Sequence, residues 1–271
     1  MKINNSHEYS WVGSQDNYVD EVNIHAVQQV ILGRFGGNSS AGQYKNEDGC
    51  LIWVSEKQDW ELAILLDAHQ TAESAELVIS TIESLKKDFI SSLNLSLKEA
   101  FPQVGMLIIN AFDSKSFKEK CQKIQGETAF LCVVRKGKFL WWLSIGDCVL
   151  HLFHPELSAL NEYQQNHRSF YEWVGRKNTF DLDVPCYSIG TKELRKGRNH
   201  IFLTTDGLIE CPNTAFSNPT EIMNYFRDGE NGQGISKLLF EIKEKDVRDS
   251  TTIVSWMVEI EEEATQPSDM K

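Results

Sequence analysis

The stretch Glu61-Leu62-Ala63-Ile64-Leu65-Leu66-Asp67-Ala68-His69 decides how this chain is read, because an apolar strand over Glu61 to Leu66 runs directly into an aspartate. An ionised carboxylate at the rim of a buried strand is costly unless it is paired or bound to a cation. The same placement recurs twice. Ile201-Phe202-Leu203-Thr204-Thr205 leads into Asp206-Gly207, and Asp249 precedes Ser250-Thr251-Thr252-Ile253-Val254-Ser255-Trp256. Three such carboxylates ask for a common hard cation held by oxygen ligands.

On the N-terminal side of that stretch, Val30 to Leu32 and Cys50 to Ser55 read as short strands separated by Gly, Asn and acidic turns, making a meander with Glu61 to Leu66. Residues 1–25 are polar and aromatic without a period and read as an arm or an added edge strand. On the C-terminal side the period changes. Ala75, Val78, Ile79, Ile82, Leu85, Phe89 and Ile90 repeat at helical spacing, predicting a helix over Thr71 to Leu93. A second amphipathic stretch over Leu97 to Phe112 is interrupted by Pro102 and Gly105. Ala129 to Arg135, Phe139 to Ser144 and Val149 to Phe153 read as strands joined by a Lys-Gly turn and by Gly146-Asp147, with Trp141 and Trp142 turned to opposite faces. Residues Asn161 to Asp183 carry no period. Ile201 to Thr205 returns to strand, Glu221 to Phe226 and Ile235 to Glu244 read as helices, and Thr251 to Val258 as a closing strand. Residues 26–260 thus form one domain, and 261–271 an acidic tail expected to fray. Strands and helices in this order suggest two sheets with helices packed outside them.

At 271 residues, with 41% hydrophobic and 24% charged residues, the chain has enough apolar material for one large core. Its net charge of −12 disfavours nucleic-acid binding, since no basic excess exists to neutralise phosphates. Six cysteines without a C-x-x-C pair read as reduced core thiols. No apolar run suggests a secretory signal or a membrane span, so no membrane partner and a cytoplasmic location are expected. A monomer is expected as well.

Six segments in order resemble the motifs of the type 2C metal-dependent serine/threonine protein phosphatases. They are Asn46-Glu47-Asp48, Leu65-Leu66-Asp67-Ala68-His69, Gly126-Glu127-Thr128-Ala129, Ser144-Ile145-Gly146-Asp147, Leu203-Thr204-Thr205-Asp206-Gly207-Leu208-Ile209-Glu210 and Asp249-Ser250-Thr251-Thr252. Each alone is weak; the ordered set spans about residues 40 to 258. The resemblance implies an α+β fold, a four-layer α-β-β-α sandwich of two mainly antiparallel sheets flanked by helices. It also implies a centre of two Mn²⁺ or Mg²⁺ ions, with a third in some members, that hydrolyses phosphoserine or phosphothreonine in a phosphorylated protein substrate. Oxygen ligands suit those ions, whereas zinc would favour His or Cys clusters.

By that resemblance Asp67 is the aspartate bridging both ions, and Ala68 stands where a glycine carbonyl binds one of them. Asp206 and Asp249 complete the other ion's shell. Glu47 and Asp48 resemble the acidic pair that orders metal-bound water, Asp147 and Glu210 fall at the third-ion position, and His69 resembles a histidine proposed to protonate the leaving oxygen. Three departures stand out. Ala68 replaces glycine, Gln70-Thr71 replaces glycines after His69, and the arginine that grips phosphate is absent before Glu47. Lys45 or Arg34 is expected to bind the substrate phosphate in its stead. These departures keep two rival readings open: a family-like regulatory or binding module weakened in catalysis, and a phosphatase of a small phosphorylated metabolite.

Overall fold

The computed structural model describes residues 7–227 and 229–268. In chain order its elements are β1 (His7–Val12), β2 (Val22–Val27), β3 (Val30–Phe35), β4 (Gly49–Ser55), β5 (Trp60–His69), α1 (Glu73–Ser84), α2 (Lys86–Leu93), α3 (Leu97–Asp113) and α4 (Lys115–Cys121). There follow β6 (Glu127–Lys136), β7 (Phe139–Ile145), β8 (Val149–Phe153), α5 (Pro155–Ser158), β9 (Val174–Gly175), β10 (Ser188–Glu193), β11 (Gly197–Thr204), α6 (Asp206–Ile209), α7 (Pro219–Asn224), α8 (Asn231–Glu244) and β12 (Thr251–Ile260). One sheet runs β1-β4-β5-β6-β7-β10, with β9 added to the start of β6; the other runs β2-β3-β12-β11-β8. All pairings are antiparallel.

Alternation along β5 explains the layering. Leu62, Ile64, Leu66 and Ala68 face α1 to α3, while Ala63 and Leu65 face the second sheet. Both faces are covered, so the strand is apolar from Leu62 to Leu66. The sheet interface gathers Ile52, Leu131, Val133, Leu150, Ile201 and Trp256, and the outer face of the second sheet packs Phe202 and Ile253 on Leu238 and Leu239 of α8. Trp141 faces the helices and Trp142 the other sheet. The architecture is the four-layer α-β-β-α sandwich expected from the motifs.

Several boundaries differ from the sequence expectations. The helix expected over Thr71 to Leu93 breaks at Leu85, so that α2 can lay Phe89 edge-on against Trp53 at 5.8 Å. Pro102 stays inside α3: the carbonyl it leaves unpaired belongs to exposed Lys98, where water can serve. Beyond β12 the acidic segment is held rather than frayed through residue 265. Ala264 is buried, Lys196 pairs with Glu263, and the Thr265 amide donates to Glu193 at 3.1 Å. At the other end, β1 pairs with β4 and β2 with β3, while residues 1–6 lie outside the described residues. Among the described residues no helix is long and apolar enough to cross a membrane.

Candidate metal centre

Three strand or helix ends meet at one edge of the sheet interface. Asp67 continues the inward face of β5, Asp147 lies in the turn between β7 and β8, and Asp206 opens α6 immediately after β11. One carboxylate oxygen from each lies within 4.8 Å of the other two. Two glycines make this convergence sterically feasible. Gly146 takes φ +87°, and a Cβ there would come within 2.6 Å of Ala129; a Cβ on Gly207 would stand 2.2 Å from the Ser250 carbonyl oxygen.

The electrostatics show what the cluster lacks. Burial pushes the Asp67 carboxyl well above its ordinary range, and the charges of Asp206, Asp48, Asp249 and Asp147 push it further. Burial likewise raises Asp147, Asp249 and Asp206, the last to about 6. At 4.8 Å, two carboxylates repel by about 3.5 kcal/mol at an effective dielectric of 20. The Oδ2 of Asp67 and the Oδ1 of Asp147 are buried without a hydrogen-bond partner among the described residues.

The same strand supplies the contrast. Glu61, on the same face of β5 at its other end, is fully engaged by buried Arg135, whose Nε donates at 2.6 Å and whose Nη2 pairs with the other carboxylate oxygen. A buried carboxylate with a cation beside it is a closed structural pair. Among the described residues no lysine or arginine pairs with Asp67, whose Oδ2 is buried, so the residues fit a divalent ion bound by hard oxygens.

Asp48 sits behind this group and is wholly enclosed. It accepts from Thr252 Oγ1 at 2.6 Å, Ser250 Oγ at 2.9 Å and Thr205 Oγ1 at 3.5 Å. Burial carries its carboxyl up to about 7, against the pull of the Thr252 and Ser250 hydroxyls. These three hydroxyls tie the start of β12 and the end of β11 to the Glu47-Asp48 segment. The Thr205 and Thr252 backbones also bond each other, at 3.1 Å. Thr205, Ser250 and Thr252 each lie within three positions of Asp206 or Asp249 in the sequence.

Asp249 and Glu47 flank the cluster; Glu47 is buried and touched by the Lys45 ammonium, and its charge bears on Asp249. Lys45 also donates to the Gln70 carbonyl at 2.6 Å, which places one exposed cation at the rim. His69 Nδ1 stands 3.9 Å from Asp67 Oδ1, with the ring partly open to solvent. Ala68 lies in the extended run of β5 and outside the left-handed region, so this position does not require glycine.

One residue differs from its expected place. Arg34 does not reach the acidic cluster. Its guanidinium lies over the rings of Tyr18 and Trp11 at 4.5 and 4.9 Å and donates to Tyr9 Oη at 2.7 Å and Asn23 Oδ1 at 2.6 Å, between the outer strands of the two sheets. Burying a guanidinium demands such partners, and they hold it there. Glu210, like Asp249 and Glu47, lies outside the 4.8 Å group; Arg168 Nη2 binds its carboxylate at 2.7 Å, and its charge raises both Asp206 and Asp249.

Arg168, which no motif marks, also stands beside the cluster. Its Nε donates to the Asp147 carbonyl at 3.1 Å, and its charge lowers both Asp147 and Asp206 against their burial. It comes from the aperiodic 161–183 segment. Asn166 fixes that segment by bonding Ser144 Oγ, the Cys148 carbonyl and the Leu150 amide.

No protein-family model matches the chain, and no curated protein matches it. Solved structures do. A bacterial serine phosphatase superposes with a TM-score of 0.60 at 13% identity, over 95% of this chain and 99% of that one. Stp1, a serine/threonine phosphatase from Staphylococcus aureus, gives 0.60 at 12% identity over 95% and 96%. The catalytic domain of the serine/threonine protein phosphatase PstP, in complex with 2 manganese ions, gives 0.55 at 12% identity over 94% and 100%. At these identities the likeness establishes the fold, which is that of the type 2C serine/threonine phosphatases.

Proposed function

We propose that the chain is a divalent-metal-dependent phosphatase acting on phosphoserine or phosphothreonine in proteins. The observation that carries this reading is the convergence of Asp67, Asp147 and Asp206, with buried carboxylate oxygens on Asp67 and Asp147 that no donor among the described residues satisfies. Asp67, Asp206 and Asp249, with Glu47 and the Ala68 carbonyl, would hold two Mn²⁺ or Mg²⁺ ions, and Asp147 would help hold a third. When bound, such ions lower the pKa of a shared water and neutralise charge on a phosphoryl group, the two demands of monoester hydrolysis.

The chain's own residues supply the rest. Asp48, clamped by Thr252, Ser250 and Thr205, offers a fixed acceptor behind the ligands that would orient the attacking water. His69 stands at the open rim, where it would hand a proton to the departing serine or threonine oxygen. Lys45 and Arg168, on either side of the cluster, provide the positive charge that the missing arginine and the sequestered Arg34 do not. Phosphate release from a phosphopeptide will require Mn²⁺ or Mg²⁺ and will vanish with chelator or with Asp206→Asn. Activity that survives both changes sinks the mechanism. Mn²⁺ binding with no release from phosphopeptides favours the regulatory module, and preferential turnover of sugar or nucleotide phosphates favours the metabolite enzyme.

A further inference from the structure

The opposite end of β11 borders a second concavity. Over its eight residues the strand runs about 25 Å, from Gly197 to the threonines beside Asp206. Near Gly197 an open groove of about 620 Å³ lies on the outer side of the second sheet, against α5 and α7. That volume is in the range of small-molecule sites. Phe153, Pro155, Met223, Phe226 and Met257 make its surface apolar. His200 forms part of the floor: its ring meets Phe226 edge-on at 4.5 Å, and its Nε2 is bonded to Ser255 Oγ at 2.6 Å. The floor is therefore closed, with its polar atom satisfied.

Cations line it as well. Lys196, Arg198 and Arg227 line the groove together with one carboxylate, Glu156, which Arg195 engages at 2.7 Å. Lys196 pairs with Glu263. Arg198 differs from both lysine and glutamate here. Its Nε and Nη2 point at the Met257 thioether, with Nε at 2.9 Å, and no carboxylate among the described residues lies within 4.0 Å of it, the cross-strand Glu259 included. A thioether is a weak acceptor, so a guanidinium directed at one beside an apolar wall retains most of its capacity for an anion. In a chain with 39 acidic and 27 basic residues, a cation without a carboxylate partner stands out beside this apolar trough.

We propose that this groove binds a single-chain amphipathic carboxylate, with its headgroup on Arg198 and its tail along Phe153, Met223, Phe226 and Met257. The site is separate from the acidic centre and stands whether or not that centre is a phosphatase.

Decanoate titrated calorimetrically into the full chain, below its micellar concentration, tests this. The expected result is saturable one-to-one binding, at least tenfold tighter than decanol, weakened at least tenfold by Arg198→Glu and unchanged in Asp206→Asn. Equal affinity for decanoate and decanol, no saturable binding, or full affinity in Arg198→Glu overturns the proposal. So does tighter binding to phosphatidylcholine vesicles than to decanoate, which would make the groove a lipid-surface contact. If Arg198→Glu lowers the melting temperature, the decanoate and decanol comparison on the unmodified chain decides alone.

Discussion

Replacing Asp206 by asparagine should stabilise the metal-free protein at alkaline pH. The Asp206 carboxyl is raised from 3.8 to about 6 by burial and by the charges of Asp249 and Glu210. A folded-state value above the unfolded one means that the group's contribution is fully present below about pH 4 and is lost as pH rises through about 6. Two pH units correspond to about 3 kcal/mol of ionisation penalty at pH 8, or about 2 kcal/mol after allowing for partial exposure. For a domain of this size that is a rise in melting temperature of about 4 to 8 °C. Differential scanning calorimetry in chelator at pH 8 and pH 4.5 reads it. The gain should appear at pH 8 and largely vanish at pH 4.5, and saturating Mn²⁺ should reverse the ranking, because only the unmodified chain gains full binding energy. A variant that is equally destabilised at both pH values would refute the idea that the aspartates are held together against their own repulsion.

Four further outcomes follow from the same geometry. The unmodified chain in chelator should melt higher at pH 5 than at pH 8, because Asp48, Asp67, Asp147, Asp206 and Asp249 all have raised carboxyls, and Mn²⁺ should flatten that slope in a thermal-shift series. Arg168→Ala removes the cation that lowers Asp147 and Asp206, so calorimetry should show Mn²⁺ binding several-fold tighter while KM for a phosphopeptide rises. Arg135→Met leaves Glu61 buried without its partner and should cost about 3 to 5 kcal/mol in urea unfolding, with Mn²⁺ affinity of the folded protein unchanged. Ala68→Gly should lower stability by about 0.5 to 1 kcal/mol with little change in Mn²⁺ affinity, since the strand conformation already suits alanine.

What was legible in the sequence follows its physics. β4, β5, β6 and β12 are covered on both faces, and such strands are written as apolar runs; the aspartates stood out because each interrupts one. α4 and β10 went unseen: the first is short, and the second is a half-exposed edge strand with no alternating apolar face. The break at Leu85 has no sequence marker because Leu85 packs against the helix-side core like the residues before it. Segment 161–183 is organised by side-chain-to-backbone bonds, from Asn166, Asn178 and Thr179, which carry no period. Arg168 was hidden for that reason. Arg34 was misplaced for another: its position in β3 gave its strand, but the aromatic partners that hold it come from β1 and from the turn before β2.

On the proposed reading, Asp67, Asp147 and Asp206 converge because a divalent cation belongs between them and the flanking Asp249 and Glu47. Anomalous diffraction from a crystal soaked in Mn²⁺, recorded above and below the manganese edge, tests it directly. Anomalous peaks are expected within bonding distance of the Asp67 carboxylate, lost on soaking Asp67→Asn crystals. Saturating Mn²⁺ with no peak at Asp67, or peaks only at other surface carboxylates, would contradict it.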